Sequence, residues 1–308
     1  MLDSFSPIAL FTFKRPEHTK RTLESLAQNA EFLESPLFIY CDGARHEGEA
    51  AQVEETRKLV RDWPHPNKTV IERDRNWGLA NSVIEGVTQL CERFGRVVVV
   101  EDDLVVSPVF LSYLNAALVR YADEAKVMQV SGYMFPIEMC GENEAQLLPI
   151  TSTWGWATWG RAWKNFGVSE VEIAKIFSDS KRQKSFDLDG SYPYSRRLRK
   201  QLNGKSDSWG IRWYFSVFCA DGLVVYPPET LVKNIGHDGS GTHCKIECSQ
   251  EDAAPSFNVE KFVYPSTIEC SRVSYAKVKK QLSGQYRLVN RAWVWLRTEC
   301  VSRLRKIT

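Results

Sequence analysis

Four short apolar runs divide the first hundred residues. Ile8 to Phe13, Leu37 to Cys41, Thr69 to Ile71 and Val97 to Val100 each read as a strand. The last is four consecutive valines without polar relief, as expected inside a parallel sheet buried on both faces. Between them the apolar spacing changes to that of helices. Leu23, Leu26 and Ala27 follow Pro16, and the segments Val53 to Trp63 and Leu79 to Phe94 continue the pattern. Strand and helix in strict alternation predict a three-layer αβα sandwich around a mostly parallel sheet.

Beyond residue 107 the alternation loosens. Phe110 to Tyr121 reads as a helix, and Val127 to Ser131 and Leu223 to Tyr226 read as strands. A Trp-rich block, TSTWGWATWGRAW, fills 151–163, with Trp159 and Trp163 placed one helical turn apart as core residues. Residues 169–205 are polar and read as helical pieces, Ile211 to Cys219 is aromatic and apolar, and 236–258 reads as loop. These changes predict one unit over 1–270, made of two halves at about 1–106 and 107–270. A helical, basic, amphipathic tail over 271–308 follows. That tail carries ten Lys and Arg against Glu299 alone, while the whole chain has a formal charge of only +2.

Composition narrows the classes. With 308 residues, 43% hydrophobic and 25% charged, the chain has ordinary globular content and is no disordered or collagen-like protein. The small net charge argues against a nucleic-acid partner. No run reaches the roughly 18 apolar residues of a membrane span, and the N-terminus lacks the features of a signal peptide. A cytoplasmic protein, peripheral on the inner face of the cell membrane through 271–308, is the expectation. Packing of the tail back onto the domain, or onto a second subunit of a homo-oligomer, is the alternative. Eight scattered cysteines contain no CxxC pair. Cys244 and Cys248, near His237 and His243, can form a zinc site, but reduced thiols are the plainer reading.

The chemistry gathers at strand ends. VVVVEDDL, residues 97–104, sets Glu101, Asp102 and Asp103 directly after the valine strand. In open α/β sheets ligands bind at the carboxyl ends of strands. Short oxygen ligands there suit a hard cation such as Mg²⁺ or Mn²⁺, which would neutralise a diphosphate. A solvated acidic turn is the bland alternative. Asp42 ends the second strand on the same edge, where a carboxylate accepts a base N–H or a ribose hydroxyl; an ordinary Asp-Gly turn is the competing account. Arg15, after the first strand, can touch a base or phosphate or be a surface charge. Asn76-Trp77-Gly78 before a helix forms a tight turn that can lie against a nucleotide.

Taken in order, these segments resemble a GT-A-fold nucleotide-sugar glycosyltransferase, with the closer similarity to the N-acetylglucosaminyltransferase I type. VVVVEDDLVVSPVFLSYL is the most specific match, followed by VMQVSGYM and GWATWGRAW, and the resemblance spans residues 6 to 245. It implies that Asp103 binds the metal, Asp102 the ribose or donor-sugar hydroxyls, and that Glu101 supports the nucleotide side. It further implies that Asp42 accepts the uracil N3–H and that Arg15 borders the base. Asp207, in KSDSWGIRW, takes the place of the family's catalytic base, although the family often has two acids before this Trp. A late loop closing on the donor implies His243 at the metal or diphosphate, with His237 second. Trp154 and Trp156 fall near the acceptor side, where an indole stacks on a sugar face.

The resulting expectation is a metal-dependent inverting transferase. It moves a sugar, with N-acetylglucosamine first choice, from a UDP-sugar to a glycan or lipid-linked acceptor. A sugar-nucleotide nucleotidyltransferase is the enzymatic rival, but FTFKRPEH lacks the glycine-rich loop such enzymes place after the first strand. A non-catalytic, membrane-docked cation-binding scaffold is the rival from another class.

Overall fold

The computed structural model describes residues 5–137, 143–237 and 262–284. His243, Cys244 and Cys248, and the tail beyond 284, lie outside these residues. The chain runs β1 (Ile8–Thr12), α1 (Pro16–Leu26), β2 (Leu37–Cys41), α2 (Ala50–Asp62), β3 (Lys68–Glu72), α3 (Leu79–Phe94) and β4 (Arg96–Glu101). Then come β5 (Leu104–Val106), α4 (Phe110–Arg120), β6 (Val127–Ser131), β7 (Gln146–Leu148), β8 (Trp156–Trp159) and α5 (Gly160–Trp163). The remaining elements are α6 (Glu170–Ser178), α7 (Ser180–Phe186), α8 (Tyr194–Leu202), α9 (Trp209–Cys219), β9 (Leu223–Tyr226) and β10 (Val232–Asn234). Residues 272–284 form a further helix.

Eight strands form one sheet in the order β3-β2-β1-β4-β8-β6-β9-β7, and β10 pairs with β5 in a separate ribbon. Six strands of the large sheet share a direction, and β8 and β7 run against them. The result is a three-layer αβα sandwich with a mixed, mostly parallel sheet, matching GT-A-like topology. Val97 to Val100 are wholly buried, as an unbroken valine run at the centre of such a sheet requires.

Register decides what reaches the functional edge. β8 is antiparallel to β4, with Trp156 opposite Val99 and Trp159 opposite Arg96. Trp154 and Gly155 therefore sit beyond Val100, beside the carboxyl end of β4. This corrects the helical reading of the Trp block: Trp156 to Trp159 is a strand, and Trp159 precedes a helix of only four residues. Both Trp159 and Trp163 are nevertheless buried, as expected of core residues.

The start of the tail belongs to the domain. Val278 is wholly buried and Leu282 nearly so. The Ser271 amide donates to the Leu147 carbonyl at 2.8 Å, and the Ser274 hydroxyl donates to Gln146 Oε1 at 3.1 Å. The packing-back alternative therefore holds for residues 271–284. Cys41, Cys91, Cys219 and Cys270 are free thiols. No helix among the described residues is long and apolar enough to cross a membrane.

Candidate active site

The acid triplet begins on the last residue of β4 and turns away from the sheet before β5. Its three carboxylates differ sharply in what they meet. Asp102 is 9% exposed. Its Oδ2 accepts the Phe13 amide at 2.9 Å, and its own carbonyl accepts the Thr22 hydroxyl at 2.9 Å. Burial, and secondarily the charge of Asp103, push its carboxyl up to about 7, against the pull of the Phe13 amide. Glu101 keeps some solvent contact, yet desolvation is the largest influence on it, followed by its two acidic neighbours. Its carboxyl lies well above the usual carboxylate range.

Asp103 is arranged for a charge still to come. Its Oδ2 meets Arg15 Nη1 at 3.1 Å, and its Oδ1 is buried with no hydrogen-bond partner among the described residues. A buried carboxylate oxygen without a donor is costly, so it points to a group that binds there. The segment after β10 closes over this residue. The Ile235 amide donates to the Asp103 carbonyl at 2.8 Å, and Gly236 follows. A Cβ on Gly236 would fall 2.3 Å from Asp103 Oδ2 and 3.0 Å from Arg15 Nη1, so only glycine allows this approach without a shift. The orphaned oxygen fits a divalent cation, whereas one carboxylate is too few to complete a site. No group of three or more His, Cys, Asp or Glu side chains forms one among the described residues.

His237, next after Gly236, packs its ring against Trp154 at 5.8 Å between centroids. Trp154 meets the Tyr133 ring edge-on at 4.9 Å, and Tyr133 meets Phe135 at 5.3 Å. All four rings are partly exposed. They form an aromatic wall that starts one residue from the Asp103 strap. Trp154 is thus partly exposed beside the strap. Trp156 is not: it is wholly buried, stacked on Trp209 at 5.2 Å and tilted against Trp163 and Trp213 further in. Trp156 opens β8, all four residues of which are buried, and Gly155 at φ +57° turns the chain between it and Trp154; this corrects its assignment to the acceptor groove. Tyr133 and Phe135 were missed because only the ending of β6 at this edge brings them to Trp154.

Asp42 requires the other correction. It is 8% exposed, and its two oxygens accept the amides of Gly43 (2.9 Å), Trp77 (2.7 Å) and Gly78 (2.9 Å) and Asn76 Nδ2 (3.0 Å). A carboxylate offers about four acceptor positions, so none remains for a base N–H. Asn76 Nδ2 also donates to the Gly43 carbonyl at 2.8 Å. Asp42 and Asn76 therefore hold the β3–α3 turn in shape. Gly78, at φ +77°, supplies the left-handed residue that the turn needs before α3. Trp77 lies under the Arg73 guanidinium at 4.0 Å, and a surface cavity of about 480 Å³ opens beside Arg75, Asn76 and Trp77.

Asp207 lies just before Ser208, whose hydroxyl caps α9. Its side chain is 63% exposed and, among the described residues, pairs with Arg212 alone, at 3.3 Å. One turn on, Gly210 approaches the Thr153 side chain, adjacent to Trp154. The contacts thus run from the acid triplet through the strap, His237 and Trp154 to the start of α9.

No family model matches the sequence, and no curated protein matches it. Among solved structures, GalNAc-T7 with UDP, GalNAc and Mn²⁺ aligns over 73% of this chain at 10% identity and TM-score 0.45. This chain spans 42% of that protein. The mannosyltransferase PcManGT from Pyrobaculum calidifontis, with GDP-Man and Mn²⁺, aligns over 71% of this chain and 76% of its own at 11% identity and TM-score 0.36.

Proposed function

We propose that the chain is a nucleotide-sugar glycosyltransferase that works with Mn²⁺ or Mg²⁺ and inverts the donor's anomeric configuration. The observation that carries this reading is the buried, donorless Oδ1 of Asp103, beside Arg15 at the carboxyl end of the central strand. A UDP-sugar is the proposed donor, with N-acetylglucosamine as the sugar, and a glycan or lipid-linked saccharide the acceptor. Asp103 would hold the cation, with a histidine from the segment after β10 beside it, His237 or His243. Bound there, the cation would supply charge neutralisation of the departing diphosphate.

The chain's own residues do the rest. Arg15 offers a guanidinium at the same point, suited to a phosphate oxygen once it leaves Asp103 Oδ2. Glu101 and Asp102 line the donor side; with raised carboxyls they can donate to sugar or ribose hydroxyls as well as accept. Trp154, with Tyr133 and Phe135, presents an aromatic wall to the acceptor's sugar face. Asp207, exposed and on the acceptor side, takes the proton from the attacking hydroxyl. The hydroxyl oxygen then bonds to the anomeric carbon as the bond to the diphosphate oxygen breaks.

Calorimetric titration with UDP, in the presence and absence of Mn²⁺, tests the reading. Binding that requires the metal supports it. Absence of nucleotide binding under both conditions favours a non-catalytic scaffold. Hydrolysis rates over a panel of nucleotide sugars then identify the donor.

A further inference from the structure

Residues 180–205 carry eight Lys and Arg against two Asp, and both acids are already engaged. Asp187 accepts the Ser195 amide at 2.6 Å and the Ser195 hydroxyl at 2.7 Å, and Asp189 pairs with Lys279 at 2.6 Å. Lys181, Lys184, Arg196, Lys200 and Lys205 are exposed and meet no carboxylate among the described residues. On α8, Arg196 and Lys200 stand one helical turn apart on the side away from the buried Ser195 and Leu198. The Lys279–Asp189 pair fastens helix 272–284, with four cations and no acid, beside the α7–α8 connection. Two basic segments, joined by a pair 90 residues apart in sequence, are therefore neighbours in the fold.

Exposed apolar side chains accompany this charge. Leu202, at the end of α8, is 40% exposed; Val273, at the start of helix 272–284, is 60% exposed; and Val171 on α6 is 64% exposed. α6 adjoins α8, since the Arg199 guanidinium lies over the Phe177 ring at 4.4 Å. Unpaired cations interspersed with exposed aliphatic residues are the composition of surfaces that rest in a lipid headgroup layer. A polyanion such as nucleic acid would match the cations but leave the aliphatic residues without a partner.

We propose that α7, α8 and helix 272–284 together form a docking face for an anionic phospholipid bilayer. The face is built into the folded domain and does not depend on the segment beyond residue 284 alone. It also stands apart from the transferase reading, since none of its residues belongs to the candidate site.

Co-sedimentation with phosphatidylcholine vesicles, with and without about a third phosphatidylglycerol, tests it on the full chain. The wild type should pellet only with the anionic vesicles and be released by 1 M salt. The variant Lys181→Glu, Lys184→Glu, Arg196→Glu, Lys200→Glu should lose about a hundredfold or more in partitioning. A thermal melt and UDP titration of the variant establish that the fold is kept. A second variant, with Arg291, Arg297, Arg303 and Arg305 changed to Gln, should retain measurable binding. The proposal is overturned if the first variant partitions like the wild type, or if the second loses all binding. Equal pelleting of the wild type with neutral vesicles, or none with anionic ones, also overturns it. So does displacement from anionic vesicles by a short DNA duplex at equal charge concentration.

Discussion

Asp42 and Asp103 stand just past the ends of two strands, β2 and β4, that flank β1 in the same sheet. They are the same residue type on the same edge, yet they meet opposite surroundings. Asp42 accepts four N–H donors, three of them backbone amides. Among the described residues, Asp103 has one guanidinium on one oxygen and nothing on the other. A saturated carboxylate is a structural tie: its charge is used to shape a turn. An open one, with a buried oxygen and two acids just before it in the chain, costs stability and is retained for binding. The edge therefore divides into a half that builds the β3–α3 turn and a half that awaits a ligand.

Asp103→Asn offers the sharpest test. It should lower transferase turnover by about a thousandfold, the scale of losing one preorganised charge contact. The thermal midpoint should hold or rise, since the charge that disfavours ionisation of Glu101 and Asp102 is gone. A fall in midpoint with activity intact would make Asp103 the structural residue and erase the contrast. Asp207→Asn should cut turnover about a hundredfold or more while leaving UDP affinity unchanged, because a base acts on the acceptor's proton. A parallel loss of UDP affinity would move Asp207 to the donor side.

Asp42→Ala should behave in the reverse manner. Three amides and one side-chain N–H lose their acceptor, and urea unfolding should show about 2–4 kcal/mol of lost stability. The effect on activity should come through that loss. A stable Asp42→Ala variant that fails to bind UDP would restore the base-recognition role. Gly236→Ala should have a smaller effect. Its Cβ would push on Asp103 Oδ2 and Arg15, so Mn²⁺-dependent UDP affinity should fall about tenfold, with about 1 kcal/mol of stability. Unchanged affinity would show that the strap gives way freely.

The contrast was only half legible in the sequence. The alternating half could be read directly, because buried parallel strands leave pure apolar runs such as Val97 to Val100, and the acids that follow them stand out. The saturation of Asp42 could not be read. Three of its four donors come from residues 76–78, and only the pairing of β2 with β3 brings that turn beside it. Gly236 escaped notice for a similar reason: a three-residue strand, β10, joins β5 and leads the strap over Asp103. The Trp block was misread because one-turn spacing of Trp159 and Trp163 suggested a helix, whereas the strand ends at Trp159. Val278 and Leu282 were weighed as a membrane face or as packing residues, and the domain surface that buries them has no mark in the local sequence.

The mildest test uses a third carboxylate, tied like Asp42 but by charges. Glu49 has a side chain only 4% exposed and holds Lys14 Nζ at 2.8 Å, the Arg45 amide at 3.1 Å and the Arg45 guanidinium. Through Lys14 it anchors the segment that carries Arg15. The Arg45 guanidinium, and then Lys14, hold its carboxyl well below the usual carboxylate range, against the opposing effect of burial. A carboxyl depressed in the folded state adds stability that is complete above the unfolded value, about 4.3, and is lost as pH falls below it. Glu49→Gln should therefore cost about 1–2 kcal/mol at pH 7, since its cationic partners are exposed enough to be rehydrated. The gap between wild type and variant should narrow as pH drops below about 4. Urea unfolding of both proteins from pH 7 to pH 3 measures this. A gap that stays constant across the range would mean that Glu49 contributes through shape rather than charge, and that its tie is of the neutral kind.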